Sequence, residues 1–334
     1  MRAMKLAAPG GLDKLVLTDV ERSEPGAGEI QVEIRASSLN FHDYAVVTGL
    51  LPTDDGRIPL SDGAGVITAV GDAVEAFQVG DRVLSHFFPH WEDGPAGFEK
   101  IQGIPGDNID GFAAQTVTAP SRAFSRMPAN LDFEQAATLT CAGLTAWRAL
   151  MVETHLRPGD WVLVQGSGGV SVFALQFAKM MGCKVVATSS SEDKLQRLAS
   201  LGADRLINYR EVTNWGAQVL AMTDGHGADL VVEVGGSGTV PQSVRAVAFG
   251  GCISMIGVLT GFSGEVPTAE LFQKNARISG ITVGSQAHQR DMIAAVEANG
   301  LQPVIDSSYP LEALADAFRH QESQQHFGKI CVSI

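Results

Sequence analysis

One ten-residue stretch constrains this chain more than any other: Val162-Leu163-Val164-Gln165-Gly166-Ser167-Gly168-Gly169-Val170-Ser171. An apolar strand runs into a glycine-rich turn and directly on into a helix. Gly166 permits the tight turn, and Gly168 lets a pyrophosphate approach the backbone. The amides of Gly169 and Val170 open the helix and face that phosphate, reinforced by the helix dipole. Ser171 stands where a third glycine would complete GxGxxG, and it is small enough for close helix packing. The same turn could be an ordinary strand-to-helix connection. Its placement between a buried strand and a helix, with a second strand correctly spaced behind it, favours a dinucleotide site.

The pattern around the turn repeats. Residues 161–165, 184–188, 205–208, 230–234, 252–256 and 278–283 read as strands, with helices at 170–181 and 193–201. The connections are too long for hairpins, so the class is α/β with a parallel, doubly wound sheet. The first third is β-rich instead. Residues 30–34 alternate with period two, 66–70 form a second strand, and 79–84 read as a turn feeding a third. Residues 85–112 are broken by glycine and proline and read as an irregular excursion of the kind that lines sites. A helical stretch at 134–150 is interrupted around Cys141-Ala142-Gly143, and the tail offers a helix at 311–321 and a strand at 329–334.

Charge narrows the partners. With 37 acidic against 24 basic residues, the net charge of −13 repels phosphate backbones and anionic lipid, so nucleic acid and membrane are not expected partners. The four cysteines, at 141, 183, 252 and 331, form no CxxC pair and no disulfide framework, which suits a reducing cytoplasm. The first ten residues do not read as a secretory signal, and no apolar run approaches the ~20 residues of a membrane span.

The end of the second strand selects the cofactor. An NAD site needs an acid there for the ribose 2′-hydroxyl. This chain places Ser189 and Ser190 in that position, followed by Lys194. Hydroxyl donors and an ammonium suit the 2′-phosphate of NADP(H). The competing reading makes Ser189 and Ser190 helix caps, with Glu192 and Asp193 as their capping-box acids.

Taken together, several phrases in a fixed order resemble the medium-chain dehydrogenase/reductase superfamily. They are Ser38-Leu39-Asn40-Phe41-His42-Asp43, Asp62-Gly63-Ala64-Gly65-Val66, Val79-Gly80-Asp81-Arg82-Val83, Cys141-Ala142-Gly143-Leu144-Thr145-Ala146-Trp147, the Gly166 turn and His326-Phe327-Gly328-Lys329. The likeness is nearest to the zinc-independent, quinone-oxidoreductase-like branch. It implies a GroES-like catalytic domain at 1–125 and 286–334, and a Rossmann cofactor domain at 126–285. Where zinc-containing relatives carry a Cys and a Gly-His-Glu phrase, this chain has Asn40 and Leu60-Ser61-Asp62. Only Cys141 remains of three ligand positions, too few for catalytic zinc, so no metal is expected.

The resemblance assigns the remaining candidates. Asn40, at the ligand position, is expected to point its amide toward nicotinamide and substrate. His42 takes the place of a proton-relaying hydroxyl and could serve as acid or as a structural histidine. Tyr44 is an alternative proton source, although the quinone reductase pattern places its tyrosine slightly later. Thr145 matches a contact to the nicotinamide ribose, and Tyr209 a flank of the 2′-phosphate. Gly235, Gly257 and Val283 follow or end strands of the cofactor sheet, and Phe327, Gly328 and Lys329 match a phrase that closes over the cofactor. Lys329 could instead pair with a surface acid. The expected function is hydride transfer from NADPH to a small electrophilic acceptor, a quinone or an α,β-unsaturated carbonyl. An NADP-dependent alcohol or carbonyl dehydrogenase and a non-catalytic NADPH-binding protein are the alternatives. Relatives pair the strand at 278–283 across a two-fold axis, so a homodimer is expected.

Overall fold

Val162, Leu163 and Val164 are wholly buried because their strand, Trp161–Gln165, has a neighbour on each edge. An unbroken apolar run is what a central parallel strand requires, since both of its faces are covered. The computed structural model describes all 334 residues, which form two units, 145–282 and 1–144 with 283–334.

The unit 145–282 holds six strands in the spatial order Arg205–Asn208, Lys184–Ser189, Trp161–Gln165, Ala228–Glu233, Val247–Met255 and Arg277–Gly280. Every neighbouring pair is parallel. In chain order this is the 3-2-1-4-5-6 arrangement of the dinucleotide fold, and the order reverses between Trp161–Gln165 and Ala228–Glu233. A ligand crevice is expected beyond the carboxyl ends of those two strands, which is where Gly166 and Gly235 lie. Helix Gly169–Met180 follows the first strand and buries Phe173 and Phe177. Arg277–Gly280 is an edge strand, and its regular part ends before Ile281.

In the other unit, the ten-residue strand Glu29–Ser38 is the spine. It pairs antiparallel with Ala64–Val70, Thr116–Pro120 and Lys329–Ser333. Its alternating Ile30, Val32 and Ile34 pack into one core with Ile67, Val83 and Phe124. Beyond Ser85, which ends a strand, residues 86–112 hold only the short 3₁₀ turn Glu99–Ile101 and one isolated bridge between Pro105 and Ile109, in line with an irregular excursion. This loop is nonetheless anchored, because Phe87, Phe88 and Trp91 are buried and the first two meet edge-on at 4.8 Å.

The helical stretch after residue 132 changes pitch where the sequence marks it. Helix Phe133–Ala137 gives way to a π-helical turn at Leu139–Gly143, then Leu144–Trp147 and a second π-helical turn at Arg148–Val152. This region also corrects the domain boundaries. Phe133–Ala137 packs on the strands Glu29–Ser38 and Ala64–Val70, so residues 126–144 belong with the β-rich unit and not with the cofactor unit. The return boundary falls at Thr282/Val283, before residue 286, because Gly284 sits tightly against Leu144. No helix is long and apolar enough to cross a membrane.

Candidate active site

The phosphate-binding turn has the geometry its sequence implies. Gly166 adopts φ +73°, and its N–H donates to Thr188 O at 2.9 Å. At Gly166 and Gly168 nothing lies within 4 Å of where a side chain would begin, so any other residue would project into the open space a ligand needs. Ser171 is buried and its hydroxyl donates to Gln165 O at 2.6 Å, tying helix to strand. Gly168 caps the helix without a side chain, which leaves the opening amides to a ligand. These residues fit a dinucleotide pyrophosphate.

Gly235 and Gly257 have another explanation. The carboxylate of Glu233 is fully buried and accepts from Gly235 N at 2.8 Å, Gly236 N at 2.9 Å and Thr239 Oγ1 at 2.6 Å. Its other oxygen accepts from Gln165 Nε2 at 2.7 Å and from Ser243 Oγ. A Cβ on Gly235 would lie 2.3 Å from Thr239 Oγ1, and one on Gly257 would lie 2.0 Å from Val234 O. Both glycines are required by the fold's own close approaches, and the Gly235 amide is committed to Glu233. Glu233 was not singled out in the sequence; its one signal is an acid inside an apolar strand, Leu230-Val231-Val232-Glu233-Val234.

The four residues expected at the 2′-phosphate, Ser189, Ser190, Lys194 and Tyr209, lie at or just beyond the ends of the strands Lys184–Ser189 and Arg205–Asn208. Ser189 ends its strand beside Asn208, and Tyr209 N donates to Ser189 O at 3.1 Å. Tyr209 stays 41% exposed. Helix Glu192–Ser200 takes Ser191 as its N-cap, and no side chain bonds across that cap, so Ser189 and Ser190 are not the capping residues. Lys194 lies half-buried in the first turn. Thr145, in the short helix Leu144–Trp147, is buried, and so is Val283 in the other unit.

In that other unit, Asn40 starts helix Phe41–Val47. Asp43 reaches back, accepting from Asn40 N at 2.9 Å and from Ser61 N at 2.8 Å. One buried acid therefore fixes the backbone at both positions where the resemblance places missing metal ligands. Burial pushes the Asp43 carboxyl above the usual range, against the opposing pull of His42, Ser61 and Lys329. The two side chains then meet each other, as Asn40 Nδ2 donates to Ser61 Oγ at 3.3 Å. An amide and a hydroxyl are poor zinc ligands, and no cluster of three His, Cys, Asp or Glu side chains is shaped to hold a metal ion.

His42 points to the loop, with Nε2 3.3 Å from Asp107 Oδ2 and its ring edge-on to Phe87 at 5.4 Å. Burial disfavours its charged form, but the neighbouring Asp107 carboxylate and the charge of Asp43 outweigh this and raise its pKa above the ordinary histidine value. Tyr44 does not join it. Residues two apart on a helix face different ways, and the Tyr44 hydroxyl donates to Glu322 Oε1 at 2.6 Å. His86 and His90 also diverge: His86 is buried against Ser125 and His90 is exposed.

The C-terminal phrase departs most from expectation. Phe327 is buried in the core, and a Cβ on Gly328 would lie 2.4 Å from Val304 O. Lys329 is neither a surface residue nor free to reach a phosphate. It is 3% exposed, and Nζ donates to Leu39 O at 2.6 Å and Asn40 Oδ1 at 2.5 Å, with Asp62 Oδ2 at 3.6 Å. Asp62 also accepts from Ser38 Oγ at 2.5 Å, and burial pushes its carboxyl up to about 6 despite Lys329. The strand register of Lys329–Ser333 against Glu29–Ser38 delivers the lysine here, a pairing that no local signal reveals.

Comparison with known proteins agrees with this architecture. Residues 26–129 match the alcohol dehydrogenase GroES-like domain, and residues 169–298 match the zinc-binding dehydrogenase family. A zinc-type alcohol dehydrogenase-like protein of Schizosaccharomyces pombe is 41% identical over 97% of this chain and 96% of its own length. Among solved structures, an NAD-dependent alcohol dehydrogenase superposes with a TM-score of 0.92 at 36% identity, each chain covered in full. A Pseudomonas syringae pv. Tomato quinone oxidoreductase gives 0.84 at 28% identity, covering 100% of this chain and 99% of that one.

Proposed function

Because the chain belongs to the medium-chain dehydrogenase/reductase superfamily, we propose that it is a quinone-oxidoreductase-like member that reduces α,β-unsaturated carbonyls or quinones with NADPH and without a metal. One observation carries this reading: the two ligand positions hold Asn40 and Ser61, hydrogen-bonded to each other. Donors of this kind cannot replace a Lewis acid in holding an alkoxide, but they can meet negative charge that develops on an acceptor oxygen. Electron-poor acceptors are the substrates for which that suffices.

Bound NADPH supplies the hydride. The chain supplies the rest. Asn40 Nδ2–H stabilises the enolate oxygen as charge arrives there. His42, whose pKa Asp107 and Asp43 raise above the ordinary histidine value, delivers a proton to the carbanionic carbon or to the oxygen. Ser189, Ser190, Lys194 and Tyr209 select the 2′-phosphate, since no carboxylate ends the strand Lys184–Ser189 to accept from a free ribose hydroxyl.

The test is an acceptor panel. Purified protein is dialysed against a strong chelator and assayed with NADPH or NADH against 2-cyclohexenone, 1,4-benzoquinone and simple aldehydes. Full activity after chelation, with enone or quinone fastest and NADPH preferred, is the expected result. Stoichiometric zinc with chelator-sensitive alcohol oxidation would overturn it, and it would bring the chain into line with its NAD-dependent alcohol dehydrogenase neighbour.

A further inference from the structure

We propose that Lys329 is the positioning residue of the reductive site, fixing which face of the Asn40 amide an acceptor meets and strengthening that amide as a donor. The inference rests on the proposed enone or quinone reduction for its catalytic consequence, but not for its geometry.

An asparagine side chain can present either its oxygen or its NH₂ group, and the two have opposite chemistry. An oxygen facing an enolate repels it; an N–H stabilises it. The orientation here is set by what lies on each side. Lys329 Nζ is an ammonium with three donors and no acceptor. It sits 2.5 Å from Asn40 Oδ1, a place where an NH₂ group would face only donors. The amide oxygen must therefore lie toward Lys329, and Nδ2 must lie toward Ser61 Oγ. Ser61 in turn supports the buried Asp43 through both its side chain and its backbone N–H.

The result is a directed chain of hydrogen bonds from a buried cation, through Asn40 and Ser61, to a buried anion. Hydrogen bonds in such a chain polarise one another. The ammonium held against the amide oxygen draws electron density from nitrogen, so the Nδ2–H is a stronger donor than that of a free asparagine. The lysine is well built for this role. It is 3% exposed, Leu39 O takes a second of its protons at 2.6 Å, and Asp62 balances its charge from 3.6 Å.

Replacing Lys329 alone strands the buried Asp62, so the informative variant is Lys329→Met combined with Asp62→Asn, which removes both charges. Steady-state kinetics with 2-cyclohexenone and NADPH should show kcat falling about 10- to 100-fold, less than the ~10²–10³ for deleting an oxyanion donor, with KM for NADPH unchanged. In an Asn40→Ala background the same pair of changes should have no further effect on kcat, because the lysine acts only through that amide. A merely structural lysine, or one that grips the cofactor, would lower kcat or raise KM for NADPH in both backgrounds, and either result overturns the proposal.

A second readout needs no turnover. With ¹⁵N-asparagine labelling, the Asn40 side-chain NH₂ signal, assigned by its loss in Asn40→Ala, should shift in Lys329→Met/Asp62→Asn. An unmoved signal refutes the coupling. If the wild type reduces no acceptor yet the signal moves, the reductase reading fails and the Lys329–Asn40 coupling stands.

Discussion

Glu233 offers the sharpest stability prediction. Its carboxylate is wholly buried, with no cation beside it, and five donors satisfy it: two backbone amides, two hydroxyls and the Gln165 amide. In Glu233→Ala all five lose this acceptor at once, although Gln165 Nε2 keeps Ser243 Oγ at 2.7 Å and Thr239 Oγ1 keeps Gly236 O at 3.0 Å. A buried donor left unmade costs about 1–3 kcal/mol. Water entering the new space recovers part of the sum, so a loss of about 4–5 kcal/mol is expected, at the exceptional end for one substitution. Glu233→Gln should cost far less. Its single oxygen keeps the side with three donors, Gly235 N, Gly236 N and Thr239 Oγ1. The new NH₂ then faces Ser243, whose hydroxyl can turn to accept, and Gln165, whose amide can flip. About 1–3 kcal/mol is expected for that variant. Urea unfolding followed by tryptophan fluorescence reads both, and Trp161 and Trp215 report from the same unit. Equal losses in the two variants, or a cost below about 1.5 kcal/mol for Glu233→Ala, would show that the network does not hold the Gly235–Gly236 turn.

Lys194→Ala should weaken NADPH by about 1–3 kcal/mol, the range for hydrogen bonds to charged groups, and leave NADH almost unchanged; equal losses in a binding titration of both cofactors refute the 2′-phosphate assignment. Enone turnover should fall as pH rises through the His42 pKa, which Asp107 and Asp43 place above the usual histidine value. His42→Gln should erase that limb of the kcat–pH profile and lower kcat by about 10²–10⁴-fold, while an untouched profile makes the histidine structural. The strand Arg277–Gly280 is an unpaired sheet edge with one charged residue at its start, so a homodimer formed by pairing this edge is expected, and a monomeric mass by light scattering at micromolar concentration counts against it.

The cofactor half was far more legible than the catalytic half, for a physical reason. Strand, turn and helix around Gly166 are contiguous, so their chemistry is written locally, and Trp161–Gln165 and Arg205–Asn208 fall where the apolar runs place them. The candidate catalytic cluster is assembled from residues 40, 42, 43, 61, 62, 107 and 329, brought together by strand register and by an irregular loop. Asn40, His42 and Asp43 were visible as a phrase, but nothing near Lys329 in sequence announces that it will be buried beside Asn40. The same blindness hid the strand Ile305–Pro310, whose Asp306-Ser307-Ser308 has no strand-like pattern and which is held by parallel pairing to Lys329–Ser333. It also placed residues 126–144 with the wrong unit, because packing of Phe133–Ala137 on a distant sheet leaves no local mark.

Two buried groups near the site should make stability respond to pH in opposite directions. Asp62 is pushed up to about 6 in the folded chain by burial, from 3.8. The folded state therefore takes up its proton first, and Asp62 contributes more stability as pH falls from about 6 toward 4. His86 is pushed down to about 4 by burial, from 6.5. Unfolded chains bind that proton first, so His86 subtracts stability as pH falls from 6.5 toward 4. At 1.36 kcal/mol per unit, each shift corresponds to about 3 kcal/mol. The wild type should consequently show a nearly flat stability between pH 6.5 and 4 from this pair. His86→Gln removes the destabilising limb and should leave a protein that gains about 2 kcal/mol on acidification from pH 6 to 4. Asp62→Asn should do the reverse and lose about that amount from pH 6.5 to 4. His42, with its raised pKa, adds a gain of the same sign as Asp62 as pH falls toward 6.5. Urea midpoints measured at half-unit pH intervals separate the limbs. Parallel profiles for the wild type and both variants would mean that neither group titrates inside the folded chain, and the cancellation would be refuted.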